Sequence, residues 1–375
     1  MSNKIPLDYQ LNTAMDIDRS NLSKILIDPL LVFSLLIILG FGLFILFSAS
    51  GQSINMVIRQ AIYIGLGLIS MLFISRLDQS VYKNLLIHLF WVGLILLFWV
   101  LIFPAEGYNA DRWIDLGFVS FQPSEAIRLI LPLAAASYLT RSQKGPFAKN
   151  WFIVILATFL CSFLIFKQPD LDVALIVMAS GFIPVFLSGF PLLILFSFLI
   201  VITAISPYLW LKLSPYMQQR VITLFNPEAD IQGAGWSITQ SKTAIGSGGL
   251  FGKGYLEGTQ SQLDFIPESH SDFIFSVIGE EFGFIGILFL LLMYGILLYR
   301  VFHIAFNSST EFSRLAASSI GFVFLLYILI NISMTVGTLP VVGVPLPLMS
   351  QGGTSILIHL IAFGFVLSMK TRQTW

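Results

Sequence analysis

Ten apolar stretches of roughly bilayer-spanning length divide the chain, near Leu30–Phe47, Met56–Ile74, Leu85–Phe103, Ala126–Leu139, Trp151–Phe166, Val173–Leu187, Leu192–Leu211, Phe273–Tyr299, Leu315–Thr338 and Ser355–Met369. With 56% hydrophobic and 11% charged residues, the 375-residue chain carries about half the charge of a soluble domain. The expected fold is a single all-α polytopic membrane domain over residues 1–375 with ten transmembrane helices. The polar segment 1–28 is too long and too acidic for a cleaved signal, so the first span is expected to stay as an anchor.

An even number of spans puts both termini on one side, and Lys and Arg in the connections say which. With the N-terminus inside, inner segments hold twelve of them (Lys4, Arg19, Lys24, Arg76, Lys83, Arg141, Lys144, Lys149, Arg300, Arg314, Lys370 and Arg372). Short outer segments hold four: Arg59, Arg112, Arg128 and Lys167. Both ends are therefore expected in the cytoplasm, with one long extracytoplasmic loop, residues 212–271, between helices 7 and 8. A formal net charge of zero and the lack of a basic tract exclude nucleic-acid binding. The lone Cys161 lies in an apolar run, which excludes an intramolecular disulfide and a thiolate metal site.

Chemistry concentrates on the outer side. Glu268, His270 and Asp272 crowd in front of the eighth apolar run, where ionisable groups are costly and need a reason. Two readings stand: Ser271 or Asp272 caps the helix, or Asp272 is a catalytic carboxylate tuned by Glu268 and His270. Glu125 and Arg128 are one helical turn apart and can pair, leaving Arg128 to anchor a phosphate-bearing substrate. Glu280, about two turns beyond Asp272, is expected to face the same cavity and to meet Arg128.

The long loop is glycine-rich between Gly233 and Gly258, so its N–H groups could cradle an anion, with Arg220, Lys242 and Lys253 binding a diphosphate; a flexible lid is the alternative. Gly246 to Gly254 fails as a P-loop, having Ser247 and Gly254 where Gly and Ser or Thr are required. Asp170 and Asp172 form an outer turn that is either punctuation or a weak divalent-cation site. The proline- and glycine-rich connection Gly337–Thr354 is expected to fold back on the cavity rim. His88, His303 and His359 lack metal-ligand spacing and read as structural.

These motifs together resemble the SEDS family (shape, elongation, division and sporulation), in its elongation-type branch. The resemblance is carried by QPSE at Gln122–Glu125, QPD at Gln168–Asp170, NPE at Asn226–Glu228, SKTAIGSGGLFGKG at Ser241–Gly254, IPESHSDFIF at Ile266–Phe275 and LPVVGVPLPLMSQGG at Leu339–Gly353. It implies a peptidoglycan glycosyltransferase that polymerises lipid II on the outer face of the bacterial cytoplasmic membrane, with Asp272 as the essential aspartate of H-x-D-F. It also implies an elongation machinery that includes a class B penicillin-binding protein. A divalent cation, Mg or Mn, is the one cofactor considered, and no organic cofactor is expected. The chain departs from the family pattern at Arg128, usually Lys, at Asp172–Val173, usually Gly-Thr, and at Gln351, usually Tyr. The competing readings are a lipid II flippase and another lipid-linked sugar transferase of the O-antigen ligase or polymerase kind. A flippase would need polar groups through the bilayer depth, where Glu280 and Glu281 alone are clearly deep.

Overall fold

The computed structural model describes residues 28–103, 114–115, 120–141, 148–212, 233–263 and 265–370, with five more between 215 and 223. A helix covers each of the ten apolar segments: α1 Pro29–Ala49, α2 Ile54–Ser75, α3 Gln79–Ile102, α4 Pro123–Leu139, α5 Ala148–Lys167, α6 Leu171–Leu187, α7 Leu192–Lys212, α10 Ile274–Phe306, α11 Glu311–Thr335 and α12 Gly353–Ser368. Six of these are long and apolar enough to cross a membrane, and α6 and α12 are shorter apolar helices. Large apolar side chains point outward along them, with Phe33 62%, Ile69 67% and Phe152 66% exposed, a surface that only hydrocarbon solvates well.

α2 packs on α12, α1 on α10, and α4 on α3, α6 and α11, so α4 and α11 sit centrally. Small residues permit close approach at these contacts: a Cβ on Gly181 would lie 2.3 Å from Thr158 Oγ1, and one on Gly67 2.4 Å from Leu360 Cδ1.

The region expected as one polar loop is partly helical, with α8 over Ala234–Ser247 and the single turn α9 over Thr259–Gln262. α8 packs against α10 and α11. Its Ser241 Oγ lies 2.5 Å from Ser276 Oγ and donates to Thr335 O at 2.6 Å, which fixes the helix to the bundle. A two-residue antiparallel ribbon, β1 Ile114–Asp115 with β2 Ser120–Phe121, precedes α4.

At the opposite end, Asp28 caps α1 by accepting from Leu31 N at 3.1 Å. Its fully buried carboxylate also accepts from Arg300 Nε at 3.1 Å and Nη2 at 2.5 Å, and lies 3.4 Å from Lys370 Nζ. Burial alone pushes this carboxyl up, but the Arg300, Leu31 N–H and Lys370 contacts outweigh it and hold it below its ordinary 3.8.

Candidate functional site

α10 is broken. Gly283 has φ 65° and ψ −158°, outside the helical region, so a short helix from Ile274 to Phe282 meets a long one starting at Phe284. A break leaves N–H and C=O groups without intrahelical partners, and in a bilayer these must be satisfied by protein. The glycine-rich stretch after α8 does this: Phe284 N donates to Gly249 O at 2.9 Å and Ile285 N to Leu250 O at 3.1 Å. In the other direction Lys253 N donates to Glu280 O at 2.9 Å and Gly254 N to Glu281 O at 3.1 Å.

This contact explains the glycines. A Cβ on Gly248 would lie 1.9 Å from Gly279 O, one on Gly252 2.0 Å from Glu281 O, and one on Gly283 2.3 Å from Gly252 N. The expected anion cradle is therefore corrected: the N–H groups of Lys253 and Gly254 already face protein carbonyls, and the segment is a backbone plug filling the kink.

The placement of Glu280 is also corrected. It lies on the short helix before the kink and pairs with Lys253 at 2.8 Å, not with Arg128. The fully buried carboxylate also accepts from Thr259 Oγ1, from Gln260 N, and from Ser261 N and Oγ, all between 2.8 and 3.2 Å, so it clamps the 253–261 segment. Lys253, expected at a diphosphate, donates to Glu280 and to Thr259 Oγ1 at 2.7 Å. Neighbouring Glu281 is buried beside Ser48 Oγ, which donates to it, and Gln262 Nε2. Lys242 is exposed, its chain alongside Gly337, and Arg220 lies outside the described residues.

Asp272 sits at the mouth of α10, half-buried. The N-cap position is Phe273, without a side-chain cap, and Ser271 Oγ donates to Glu268 Oε2 at 2.8 Å. The backbone around Asp272 is held from two sides. Asn331 Nδ2 on α11 donates to Asp272 O at 2.9 Å and to Val344 O at 2.7 Å. From the last connection, Ser350 Oγ donates to Ser271 O at 2.5 Å and Gln351 N to His270 O at 2.9 Å. That connection folds back into the body, burying Val344, Leu346, Leu348 and Met349. Asp272 Oδ2 lies 3.6 Å from the place a Cβ on Gly343 would occupy, so the loop crosses the carboxylate at a residue without a side chain. His270 Nε2 is 3.7 Å from Glu268 Oε2, and Glu268 is 64% exposed in the left-handed region at φ 55°.

Arg128 and Glu125 pair at 3.2 Å at the start of α4. Arg128 Nη1 also donates to Tyr327 Oη at 2.8 Å, its guanidinium 5.6 Å from that ring's centre. Arg128, Glu125 and Tyr327 line a cavity between α4, α11 and α12, which His359 enters edge-on to Tyr327 at 5.5 Å. Tyr327 and Asn331 are four residues apart on α11, on one face and separated by about 6 Å of rise. One helix therefore carries the partner of Arg128 and the support of Asp272.

Asp170 is the N-cap of α6, accepting from Val173 N at 3.2 Å, and Asp172 follows in the first turn. Among the described residues no group of three or more His, Cys, Asp or Glu is arranged to hold a metal ion. The Asp170–Asp172 turn therefore does not fit a protein-built cation cage, which needs more oxygen ligands than two side chains supply. Tyr327, Asn331 and Ser350 were not singled out from sequence; a lone Asn one turn after a Tyr in an apolar helix was the available signal.

A multi-pass bundle whose broken helix presents a carboxylate at its mouth, with a cation on α4 tied to it through α11, defines a helical membrane protein with a polar site at one end. The chain belongs to the FtsW/RodA/SpoVE family of cell cycle proteins, whose family model matches residues 21–374. It is 42% identical to the peptidoglycan glycosyltransferase MrdB of Escherichia coli K12, over 93% of this chain and 95% of that one. It is 29% identical to the peptidoglycan glycosyltransferase RodA of Treponema pallidum, over 92% and 98% of the two. Among solved structures, a chain of a peptidoglycan synthase complex that coordinates polymerization and crosslinking superposes with TM-score 0.77 at 31% identity, covering 92% of this chain and 98% of that one. The rod shape determining protein RodA of Thermus thermophilus superposes with TM-score 0.68 at 30% identity, covering 92% and 97%.

Proposed function

We propose that this chain is a peptidoglycan glycosyltransferase that polymerises lipid II for cell-wall elongation, by inverting single displacement with Asp272 as general base. The acceptor sugar hydroxyl gives its proton to the Asp272 carboxylate as its oxygen bonds to the donor's anomeric carbon. The bond from that carbon to the diphosphate breaks, and polyprenyl diphosphate departs. Arg128, positioned by Glu125 and Tyr327, offers positive charge to the leaving group from a partly desolvated site, where charge acts more strongly than in water.

The observation that carries this reading is the support of Asp272, whose backbone is clamped by Asn331 and the Ser350–Gln351 segment at the mouth of α10. A proton acceptor gains from such positioning, and losing one costs about 10²- to 10⁴-fold in rate. The arrangement of Glu280 and Glu281 weighs against a flippase, because both serve the loop clamp before the kink and do not continue a polar path through the bundle.

The same reading takes ten spans, both termini in the cytoplasm and Asp272 facing the periplasm, supported by the helix over each apolar segment and by the charge bias. It includes a class B penicillin-binding protein as crosslinking partner, as the synthase-complex neighbour suggests. A divalent cation, if used, would come with the substrate diphosphates. The test is purified protein in detergent with lipid II, parent against Asp272→Asn, with cations added or chelated. Glycan strands from the parent and a loss of at least about 100-fold in the variant are expected; strands from both at one rate refute the assignment, and none from the parent refutes the enzyme.

A further inference from the structure

At the end of the bundle opposite Asp272, where Asp28, Arg300 and Lys370 meet, the helices part around a cavity of ≈ 730 Å³. Its walls are the last residues of α4 and α6, the end of α10 and the first turns of α11. On α11 the lining residues Glu311, Arg314, Leu315, Ser318 and Phe322 share one face, and Glu311 and Phe322 are separated by about 16 Å of helical rise. The hydrocarbon of one leaflet is about 15 Å deep, half of the bilayer core. The cavity therefore runs from the membrane boundary into a single leaflet, the cytoplasmic one in the orientation proposed above.

The mouth of this cavity carries charge of both signs. Glu311 and Arg314, one turn apart, could pair, yet among the described residues neither forms an ion pair. One turn deeper, the Ser318 hydroxyl has no hydrogen-bond partner among the described residues. Across from α11, α4 ends at Thr140 and α6 at Ser188, and neither helix has a basic residue in its last turn, so their carbonyl ends carry uncompensated negative partial charge. The Thr140 and Ser188 hydroxyls already donate, to Ala136 O and Val185 O at 2.7 Å each, which leaves oxygen lone pairs on that wall. Arg141, just past α4, lies over the Tyr138 ring and off the cavity wall. Deeper in, the walls are apolar: the Phe302 and Phe322 rings meet at 4.9 Å, and Phe306 is 73% and Phe322 39% exposed, so the cavity is open on its hydrocarbon side.

We infer that this cavity is a binding site for a zwitterionic phospholipid of the inner leaflet, its phosphate on Arg314 and Ser318 and its primary ammonium on Glu311 and the carbonyl ends of α4 and α6. An acyl chain then follows the Phe302, Phe306 and Phe322 side into the leaflet. The volume falls within the ~300–1,000 Å³ of sites that enclose a small ligand. A partner's helix would need about 1,250 Å³ or more over the same depth, which the cavity does not offer. Since α4 carries Arg128 and α11 carries Tyr327 and Asn331, a lipid seated here ties together the inner ends of the two helices whose outer halves hold the polar site.

The test is lipid binding to the full chain in detergent, read by native mass spectrometry with phosphatidylethanolamine, phosphatidylcholine and phosphatidylglycerol offered in turn. Phosphatidylethanolamine is expected to bind most tightly, one molecule per chain, because the choline ammonium cannot donate a hydrogen bond and the glycerol head has no cation. Arg314→Ala should weaken it about 10-fold or more, the scale of one charge-assisted hydrogen bond, and Arg314→Lys should regain part. Glu311→Gln should remove most of its advantage over phosphatidylglycerol. Arg76→Ala, which removes another exposed arginine on the same side of the membrane, should change nothing. Equal affinities for the three lipids, equal affinities of parent and Arg314→Ala, or a preference unchanged in Glu311→Gln overturn the site and leave the cavity to a protein partner. Lipid II and turnover play no part in this measurement, so either this site or the Asp272 assignment can fail while the other stands.

Discussion

Replacing Gly283 by Ala tests whether the kink and the glycine plug are one unit. The backbone at φ 65° and ψ −158° is open almost only to glycine and costs a side-chain residue about 1–3 kcal/mol. The added methyl would also meet Gly252 N at 2.3 Å and Leu250 C at 2.7 Å, both backbone, so the plug must withdraw. Losing two of the four hydrogen bonds across the kink, each worth about 0.5–1.5 kcal/mol net, brings the cost to about 2–6 kcal/mol. Gly295→Ala is the matched control on the same helix, since nothing lies within 4 Å of its Cβ position. Denaturant unfolding in detergent should show the full loss for Gly283→Ala and almost none for Gly295→Ala. Hydrogen exchange should show faster amides at Lys253, Gly254, Phe284 and Ile285, the four donors across the kink, because those groups would lose their partners. Equal midpoints for the two variants, or unchanged exchange at those four amides, would refute the coupling.

Three further outcomes follow from the contacts described. Asn331→Leu removes the donor to Asp272 O and Val344 O; lipid II polymerisation should fall more than stability does, and an unchanged rate would show that Asp272 needs no such support. Lys253→Met leaves the Glu280 carboxylate buried without its counter-ion and should cost about 3–5 kcal/mol. Adding Glu280→Gln should restore part of that loss in an unfolding titration, and strict additivity would count against the pair. The Asp28 carboxyl is held below its ordinary 3.8 in the folded state, so its stabilising effect is complete at neutral pH and is lost as pH falls through that lowered value. Parent and Asp28→Asn should therefore differ in stability at pH 7 and converge well below pH 3.8; a constant difference down to low pH would contradict the lock.

The ten helices were legible because each run is strongly apolar and bounded by polar or breaker residues, the strongest signal a membrane chain offers. The Glu125–Arg128 pair was legible for a local reason, since three residues on a helix share a face. The misreadings concern contacts between segments distant in sequence. Counting glycines between 233 and 258 could not distinguish N–H groups facing a ligand from N–H groups facing Glu280 and Glu281. Helical geometry sent Glu280 towards the cavity of Asp272 only while residues 272–280 were treated as helical throughout, and the helix begins at Ile274. Asn331 and Ser350 act through backbone carbonyls of residues 272 and 271, a kind of partnership that carries no pattern of its own.

α11 bears Tyr327 and Asn331 on one face, the first gripping Arg128 and the second gripping the chain at Asp272. A rigid rod with two such handles moves them in concert: a small roll about its own axis would displace the Arg128 guanidinium and the Asp272 backbone together. A push on a single end of that helix would thus reach both halves of the polar site at once, without entering it.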